Sequence, residues 1–345
     1  VIGLSQVIDL SSDTATRPSE GMKRAMMAAD VGDEQRREDP TTNELQERVA
    51  NMLGKESALF LPSATMCNLA ALRAHLRPGE GFIAEARCHI IRWEAGGYAA
   101  VAGAAPTLIP TERGIFTARQ VREAVAPGGQ NFAPTRLVCA ENTHNAGGGT
   151  VWTLEETGKM AQAAKELGLA LHLDGARLLN AAIALGVSPQ ALAGPYDSVT
   201  LCLSKGLGCP MGAVLAGSAE LIAHAWRSKQ MLGGSLRQSG MIAAAGLYAL
   251  ECNMERLRED QENARMLAQG LAEMRCVSIN PGIVQSNLVF FTVAGMTAQE
   301  ARERLAMQGV RVSGDGERLR AVTHLDIARH DIARALAAMR AAWGA

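Results

Sequence analysis

At 345 residues the chain exceeds one typical hydrophobic core, so it predicts one large domain with a smaller appendage, or two domains. Its 34 basic and 35 acidic residues give a net charge of −1 and are interspersed, which excludes a basic nucleic-acid surface or a polybasic membrane patch. The seven cysteines (Cys67, Cys88, Cys139, Cys202, Cys209, Cys252 and Cys276) are scattered, odd in number and without CxxC or Cys/His ligand spacing; the expectation is reduced core thiols in a cytoplasmic protein with no metal site. The opening VIGLSQVIDLSSDT lacks a basic n-region and a long apolar h-region, and no later apolar run reaches the roughly 18 residues that cross a bilayer, so a soluble, intracellular chain is expected.

After a polar opening segment, Leu45, Val49 and Leu53 recur four apart and predict a helix over residues 42–53. A short apolar run, ALFLPS, then meets ATMCNLAALRAHL, giving strand, turn and helix. GFIAE, TRLVCAEN, LALHLDG, DSVTLCLS and GAVLAG read as further short strands, several separated by helical stretches such as LEETGKMAQAAKELG. That alternation predicts an α/β sheet that is largely parallel. Residues 238–274 read as one or two long helices. Beyond them, strands at SNLVFFTV, VRVSG and RLRAVTH, with helices at AQEARERLAMQG and HDIARALAAMRAAW, predict a small α+β unit.

Two charged residues fall at predicted strand ends: Asp174 in LHLDGARLLN and Lys205 in LCLSKGLG. Ligands of open α/β sheets bind outside those ends. A lysine there can act as a nucleophile that forms a Schiff base, and a neighbouring aspartate can hold a pyridine nitrogen protonated. The competing reading of the pair is a buried ion pair or a snorkelling lysine. In PSATMCN the N–H groups of Ala64 and Thr65 and the hydroxyls of Ser63 and Thr65 sit where a helix opens and could cradle an anion, or form an ordinary N-cap. Ser204 is a further candidate beside the lysine. His89, in EARCHIIRWEAGG, is either a satisfied core residue or a ring that stacks on a planar cofactor and moves a proton near neutrality. Gly206 and Gly208 are expected to let the backbone pass close to a ligand.

Eight blocks, IDLSSDTATRPS, VGDEQRREDPTTNEL, GKESALFLPSATMCN, ENTHN, LHLDGARLLNA, DSVTLCLSKGLGCPMGAVLAG, MLGGSLRQSGMIAAAGLYAL and RAVTHLD, fall in an order and spacing that resembles the L-threonine aldolases, a resemblance that covers the chain from about Ile8 to Trp343. These belong to the aromatic/β-eliminating-lyase branch of the fold-type-I pyridoxal phosphate enzymes. The resemblance implies a large α/β pyridoxal-phosphate-binding domain, with a mainly parallel sheet flanked by helices, over residues 16–250. An N-terminal segment (1–15) precedes it and a small C-terminal α+β domain (251–345) follows. Lys205 resembles the lysine that carries the cofactor, Asp174 the partner of its pyridine nitrogen and His89 the ring stacked on it. Trp93 falls at a position that is aromatic in the family. Ala64 and Thr65 match the phosphate-binding pair, with Ala64 where glycine is usual; Ser63, Ser204 and Arg177 are cofactor-binding candidates beside them. Ser12, Arg177 and Arg320 match the residues that hold a substrate α-carboxylate. Arg237 matches an arginine that reaches a neighbouring subunit's cofactor, implying a homo-oligomer, with a dimer of dimers expected.

The activity so implied is cleavage of the Cα–Cβ bond of a β-hydroxy-α-amino acid to glycine and an aldehyde, with His89 as the base for the β-hydroxyl proton. Three departures bear on the substrate: Arg36 and Arg37 replace the usual Tyr-Gly, Asn131 a common histidine and Gln230 a common lysine. From these, Arg37 and Asn131 are substrate-binding candidates, with an anionic 3-hydroxyaspartate-like substrate as one expectation and solvated arginines as the other. Three alternatives stand beside the aldolase. They are pyridoxal-phosphate-dependent β-elimination, a non-catalytic cofactor-binding protein, and a nicotinamide oxidoreductase, against which the lack of GxGxxG after any predicted strand counts.

Overall fold

The structure, a computed structural model, describes residues 7–344, with the backbone alone at 315; residues 1–6 of the expected N-terminal segment lie outside the described residues. Twelve strands are described: β1 (Ile8–Leu10), β2 (Ser57–Leu61), β3 (Gly81–Glu85), β4 (Ala105–Ile109), β5 (Thr135–Glu141), β6 (Ala170–Gly175), β7 (Ser198–Cys202), β8 (Ala213–Gly217), β9 (Val277–Ser278), β10 (Leu288–Val293), β11 (Val310–Asp315) and β12 (Arg318–Val322). Seven form one sheet in the order β2-β8-β7-β6-β5-β3-β4. Its strands run parallel except β8, which is antiparallel to both β2 and β7. The fully buried β7 and β8 are apolar or small throughout, and β3 is so up to its terminal Glu85, as strands covered on both faces require.

Local chemistry sets the helices that flank this sheet. Pro40–Leu53 starts two residues before the sequence expectation, because Asp39 accepts the Thr42 N–H and Pro40 takes the first helical position. It stops at Gly54, whose φ of 64° suits glycine. Leu45, Val49 and Leu53 are buried on one face, as their spacing predicts. The helix Ala64–His75 is capped by Ser63, which accepts the Met66 N–H.

The smaller sheet runs β1-β11-β12-β10-β9. β1 is parallel to β11, so the polar opening segment contributes a strand to the carboxyl-terminal sheet, and a helix, Glu20–Met27, follows it. Alternation gave no signal for a three-residue strand. The stretch 238–274 resolves into two helices. Gly240–Cys252 packs into the large core through Ala243, Ala245 and Ala249, and Leu257–Ala272 into the small one through Leu267 and Leu271. Five cysteines are buried, but Cys252, the last residue of its helix, is exposed and Cys276, just ahead of β9, is only half-buried against the small core, so the expectation of seven core thiols is corrected. No helix among the described residues is long and apolar enough to cross a membrane.

Candidate active site

β6 and β7 are parallel neighbours, so their carboxyl ends open on the same edge of the sheet. Asp174 is the penultimate residue of β6, and Lys205 lies three residues past β7, in a turn where Gly208 N–H and Thr16 Oγ1 both donate to the Lys205 carbonyl, at 2.9 and 2.8 Å. The Lys205 charge acts on Asp174, His89 and Asp13 together. Burial pushes the Asp174 carboxyl up; the charges of His89 and Lys205 and the N–H groups of Ala176 and Asn68 outweigh it and hold the carboxyl below the usual range. Ala176 N donates to Oδ1 at 3.1 Å and Asn68 Nδ2 to Oδ2 at 2.9 Å. Each oxygen keeps a lone pair for one further donor.

His89 begins the four-residue helix His89–Arg92, and its backbone N–H donates to Glu141 Oε2 at 2.7 Å. Its Nδ1 is 2.8 Å from Glu94 Oε1, which leaves Nε2 available. One ligand atom each from His89, Glu94 and Asp174 falls within 4.8 Å of the other two. Burial pushes the His89 imidazole down, but the bond to Glu94 and the charge of Asp174 carry it above its ordinary value; burial raises Glu94, only partly offset by its bonds to His89 and Asn68. Glu94 was not singled out in the sequence. Five positions from His89 it is off the helical i+3/i+4 spacing, and it returns only because the short helix ends at Trp93, ahead of the positive φ of Ala95 (52°) and Gly96 (72°). Asn68 and Glu141 were missed for a related reason: each acts by bonding to another residue of the site.

The first-turn amides of Ala64 and Thr65 have no intrahelical acceptor, and Ala64 takes helical φ without strain, so its Cβ leaves the backbone N–H groups open. The Ser63 hydroxyl is engaged as N-cap, and Ser204 Oγ lies 3.6 Å from Cys202 Sγ. At the other end of the cluster a cavity of about 340 Å³ is lined by Ser12, Trp93, Asn145, Phe290, Ser313 and Arg320, among others. Arg320 Nη1 donates to Asn145 Oδ1 at 3.3 Å, and the Asn145 N–H is held by Glu141 Oε1 at 2.8 Å. Glu141 thereby ties His89 to the arginine end. Arg177 is brought to the cluster already engaged: Nε and Nη2 donate to the two Asp13 oxygens at 2.6 and 2.8 Å, so its Nε/Nη2 edge is filled and the Nη1/Nη2 edge remains for a substrate. A larger groove of about 690 Å³, bordered by Arg17, Tyr248 and Asp326, lies apart from His89, Asp174 and Lys205.

Other expected positions stand outside the cluster of their own chain. Arg237 is exposed and pairs with Asp33 at 3.2 Å. Asn131 is exposed four residues before β5, at the amino edge of strands whose carboxyl ends hold the cluster; the seven residues of β5 put about 20 Å between those edges. Arg36 is solvated beside Asp33. Arg37 is not at the cavity: its guanidinium stacks over Trp226, 4.9 Å from the ring centroid. Gly206 and Gly208 answer to protein packing. A Cβ would come within 2.9 Å of Leu257 at Gly206 and 2.6 Å of Leu325 at Gly208.

Beside Asp174, in register on β7 and on the same face, the Thr200 hydroxyl is buried with no hydrogen-bond partner among the described residues. An unpartnered buried hydroxyl next to a carboxylate with spare lone pairs, a lysine amine and a helix amino terminus fits the polar edge and phosphate of pyridoxal phosphate.

The fold is that of the fold-type-I pyridoxal phosphate enzymes. The chain belongs to the beta-eliminating lyase family, which residues 9–294 match. It is 40% identical to low-specificity L-threonine aldolase 1 of Arabidopsis thaliana, over 94% of this chain and 93% of that one. It is also 40% identical to the low specificity L-threonine aldolase of Escherichia coli K12, over 97% and 99%. The threonine aldolase of Leishmania major superposes with a TM-score of 0.83, at 20% identity, over 97% and 99% of the two chains.

Proposed function

We propose that the chain is a pyridoxal-phosphate-dependent aldolase that cleaves the Cα–Cβ bond of a β-hydroxy-α-amino acid, releasing glycine and an aldehyde. The observation that carries this is the buried Asp174 carboxylate at the carboxyl end of β6, fixed by two donors and facing the charges of Lys205 and His89. Bound pyridoxal phosphate supplies an electron sink for the pair released at Cα. Lys205 holds the cofactor through its amine, Asp174 accepts the pyridine N–H, and the Ala64 and Thr65 amides, with Ser63 and Ser204 nearby, receive the phosphate. Arg320, with Ser12 and the remaining Nη1/Nη2 edge of Arg177, would grip the α-carboxylate and so fix how the amino acid lies in the site. Trp93 closes one wall. His89 Nε2 takes the β-hydroxyl proton, directly or through a water, and Glu94 stabilises the imidazolium. The Cα–Cβ pair stays with Cα, a proton returns there, and the aldehyde leaves.

The division into an N-terminal segment (1–15), a cofactor domain (16–250) and a small carboxyl-terminal domain (251–345) belongs to the same reading, as does a cytoplasmic homo-oligomer built as a dimer of dimers. What favours the oligomer is that Arg237 and Asn131 are exposed and away from their own cluster, where only a second copy can use them.

The test is product analysis. Purified protein with pyridoxal phosphate is expected to show visible absorbance that borohydride removes and that Lys205→Ala lacks. Incubated with threonine, allo-threonine, phenylserine and 3-hydroxyaspartate, it is expected to release glycine and the matching aldehyde from at least one. The matching 2-oxo acid and ammonia in their place (2-oxobutanoate from threonine or allo-threonine, phenylpyruvate from phenylserine, oxaloacetate from 3-hydroxyaspartate) would overturn the aldolase in favour of β-elimination.

A further inference from the structure

Asn68 and His75 are seven positions apart on the helix Ala64–His75, two turns along one face. They meet β6 and β7, where His172 and Asp174, two positions apart, point to one side of the sheet and Ser198 is in register with His172. The helix and strand periods thereby bring five side chains into one row. Asn68 Nδ2 is 2.9 Å from Asp174 Oδ2 and 2.8 Å from Glu94 Oε1, and Asn68 Oδ1 is 3.1 Å from His172 Nε2. His172 Nδ1 is 2.8 Å from Ser198 Oγ, which is itself 2.8 Å from His75 Nε2. Asn68, His172 and Ser198 are fully buried, and His75 reaches partly to solvent.

Only one placement of hydrogens satisfies this row. An ionised carboxylate accepts and never donates, so Asn68 turns its amide nitrogen to Asp174 and its carbonyl oxygen to His172. His172 Nε2 must then carry a hydrogen, which leaves Nδ1 as acceptor for the Ser198 hydroxyl. Ser198 Oγ, its hydrogen spent, accepts from His75 Nε2–H. Every donor points the same way, toward Asp174, and bonds aligned in this manner polarise one another. Burial keeps both imidazoles neutral at pH 7, lowering His172 to about 3 and His75 to about 4, so neither breaks the sequence by gaining a second hydrogen.

We propose that His75, Ser198, His172 and Asn68 form a one-way hydrogen-bond relay that keeps the Asp174 carboxylate ionised and aimed at the cofactor's pyridine nitrogen, with Asn68 and His172 as positioning residues. The proposal rests on the cofactor reading above for its purpose, but not for its direction.

Direction is read first, in the apoprotein labelled with ¹⁵N-histidine, from imidazole nitrogen shifts and couplings between pH 6 and 8. His172 and His75 are expected as Nε2–H tautomers throughout; an Nδ1–H or doubly protonated ring at either position overturns the relay. Purpose is read in the holoprotein. His172→Gln can accept from Ser198 and donate to Asn68, and is expected to keep the cofactor dissociation constant within about twofold and the pH midpoint of its visible band unchanged. His172→Leu ends the relay, and is expected to weaken cofactor binding about tenfold and to move that midpoint. Equal effects of the two substitutions would mean that volume, not hydrogen bonding, matters, and would overturn the proposal. Should His172→Leu not fold, Ser198→Ala removes one hydroxyl and is expected to move the midpoint in the same sense, with no movement counting against the relay. A wild-type protein that binds no pyridoxal phosphate defeats the functional reading, while the tautomers still decide the direction.

Discussion

Arg177 grips Asp13 as a buried two-pronged pair, Nε to Oδ2 at 2.6 Å and Nη2 to Oδ1 at 2.8 Å, and joins the segment three residues past the small sheet's β1 to the segment two residues past the large sheet's β6. Asn287, ahead of β10, adds a third donor to Asp13 at 3.3 Å. Burial pushes the Asp13 carboxyl up, and Arg177 with Lys205 pulls it well below the usual carboxylate range.

Asp13→Asn leaves the Arg177 charge buried without its partner, so a loss of about 3–5 kcal/mol of unfolding free energy is expected from urea titration. The double substitution Asp13→Leu with Arg177→Met removes both charges and is expected to cost less than the single one. A double variant as unstable as the single would show that the pair is not what joins the two sheets.

His89 is expected to divide into two roles. His89→Phe keeps a flat ring and loses the proton acceptor, so kcat for aldehyde release should fall by about 10²–10⁴ while cofactor affinity changes little. His89→Ala should weaken cofactor binding as well. A His89→Phe protein with near wild-type kcat would remove His89 as the base and direct attention to a water or a second subunit.

Arg320 stands at the cavity on β12, held against Asn145. With a planar fork suited to a carboxylate, Arg320→Lys should raise KM about tenfold or more even though the charge is kept. Steady-state kinetics with a β-hydroxy-α-amino acid and with the matching amino alcohol checks it. The variant's handicap should vanish for the amino alcohol, which has no carboxylate to grip.

Arg37 carries an unusual backbone, φ 59°, in a place where the resemblance expects glycine, and it stacks on Trp226. Arg37→Gly relieves about 1 kcal/mol of left-handed strain and gives up about 0.5–1 kcal/mol of cation–π attraction, so stability should move little. Arg37→Ala keeps the strain and loses the stacking, and should be destabilised by roughly 1 kcal/mol. Neither should change the ratio of turnover between 3-hydroxyaspartate and threonine. A selective loss on the anionic substrate would restore Arg37 to a substrate site.

Legibility in the sequence followed the range of each interaction. Asp174, Lys205 and the Ser63–Thr65 turn could be read because strand ends and a helix start are local patterns. The antiparallel β8 could not, since GAVLAG carries no mark of direction, and β1 is too short for alternation to register. Arg177 could be named from the family resemblance, but not its engagement by Asp13, which lies 164 positions away. Glu94, Asn68 and Glu141 were silent for the same reason: their partners are His89, Asp174 and Asn145, and only the folded chain brings those side chains together.

The pH dependence of stability contains opposed contributions that substitutions can separate. Burial lowers His75 from its ordinary value to about 4, so the unfolded chain binds the extra proton more readily; stability from this group is complete above about pH 6.5 and is lost as pH falls through 4. Asp260 behaves in the opposite sense. Burial raises it to about 7, only partly offset by Arg256, so the folded chain holds that proton more tightly, and stability is lost as pH rises from about 4 through 7. His75→Gln, which keeps a donor for Ser198, should therefore lose less stability than the wild type between pH 7 and pH 4, by about 1–2 kcal/mol after allowance for partial exposure. Asp260→Asn should instead gain relative to the wild type at pH 8 compared with pH 4, because the neutral side chain no longer has to ionise in a buried site. Urea unfolding at pH 4, 6 and 8 for the three proteins checks both signs at once. A His75→Gln curve parallel to the wild type would mean that the folded chain binds the His75 proton as readily as the unfolded one, against both its burial and its place beside Ser198.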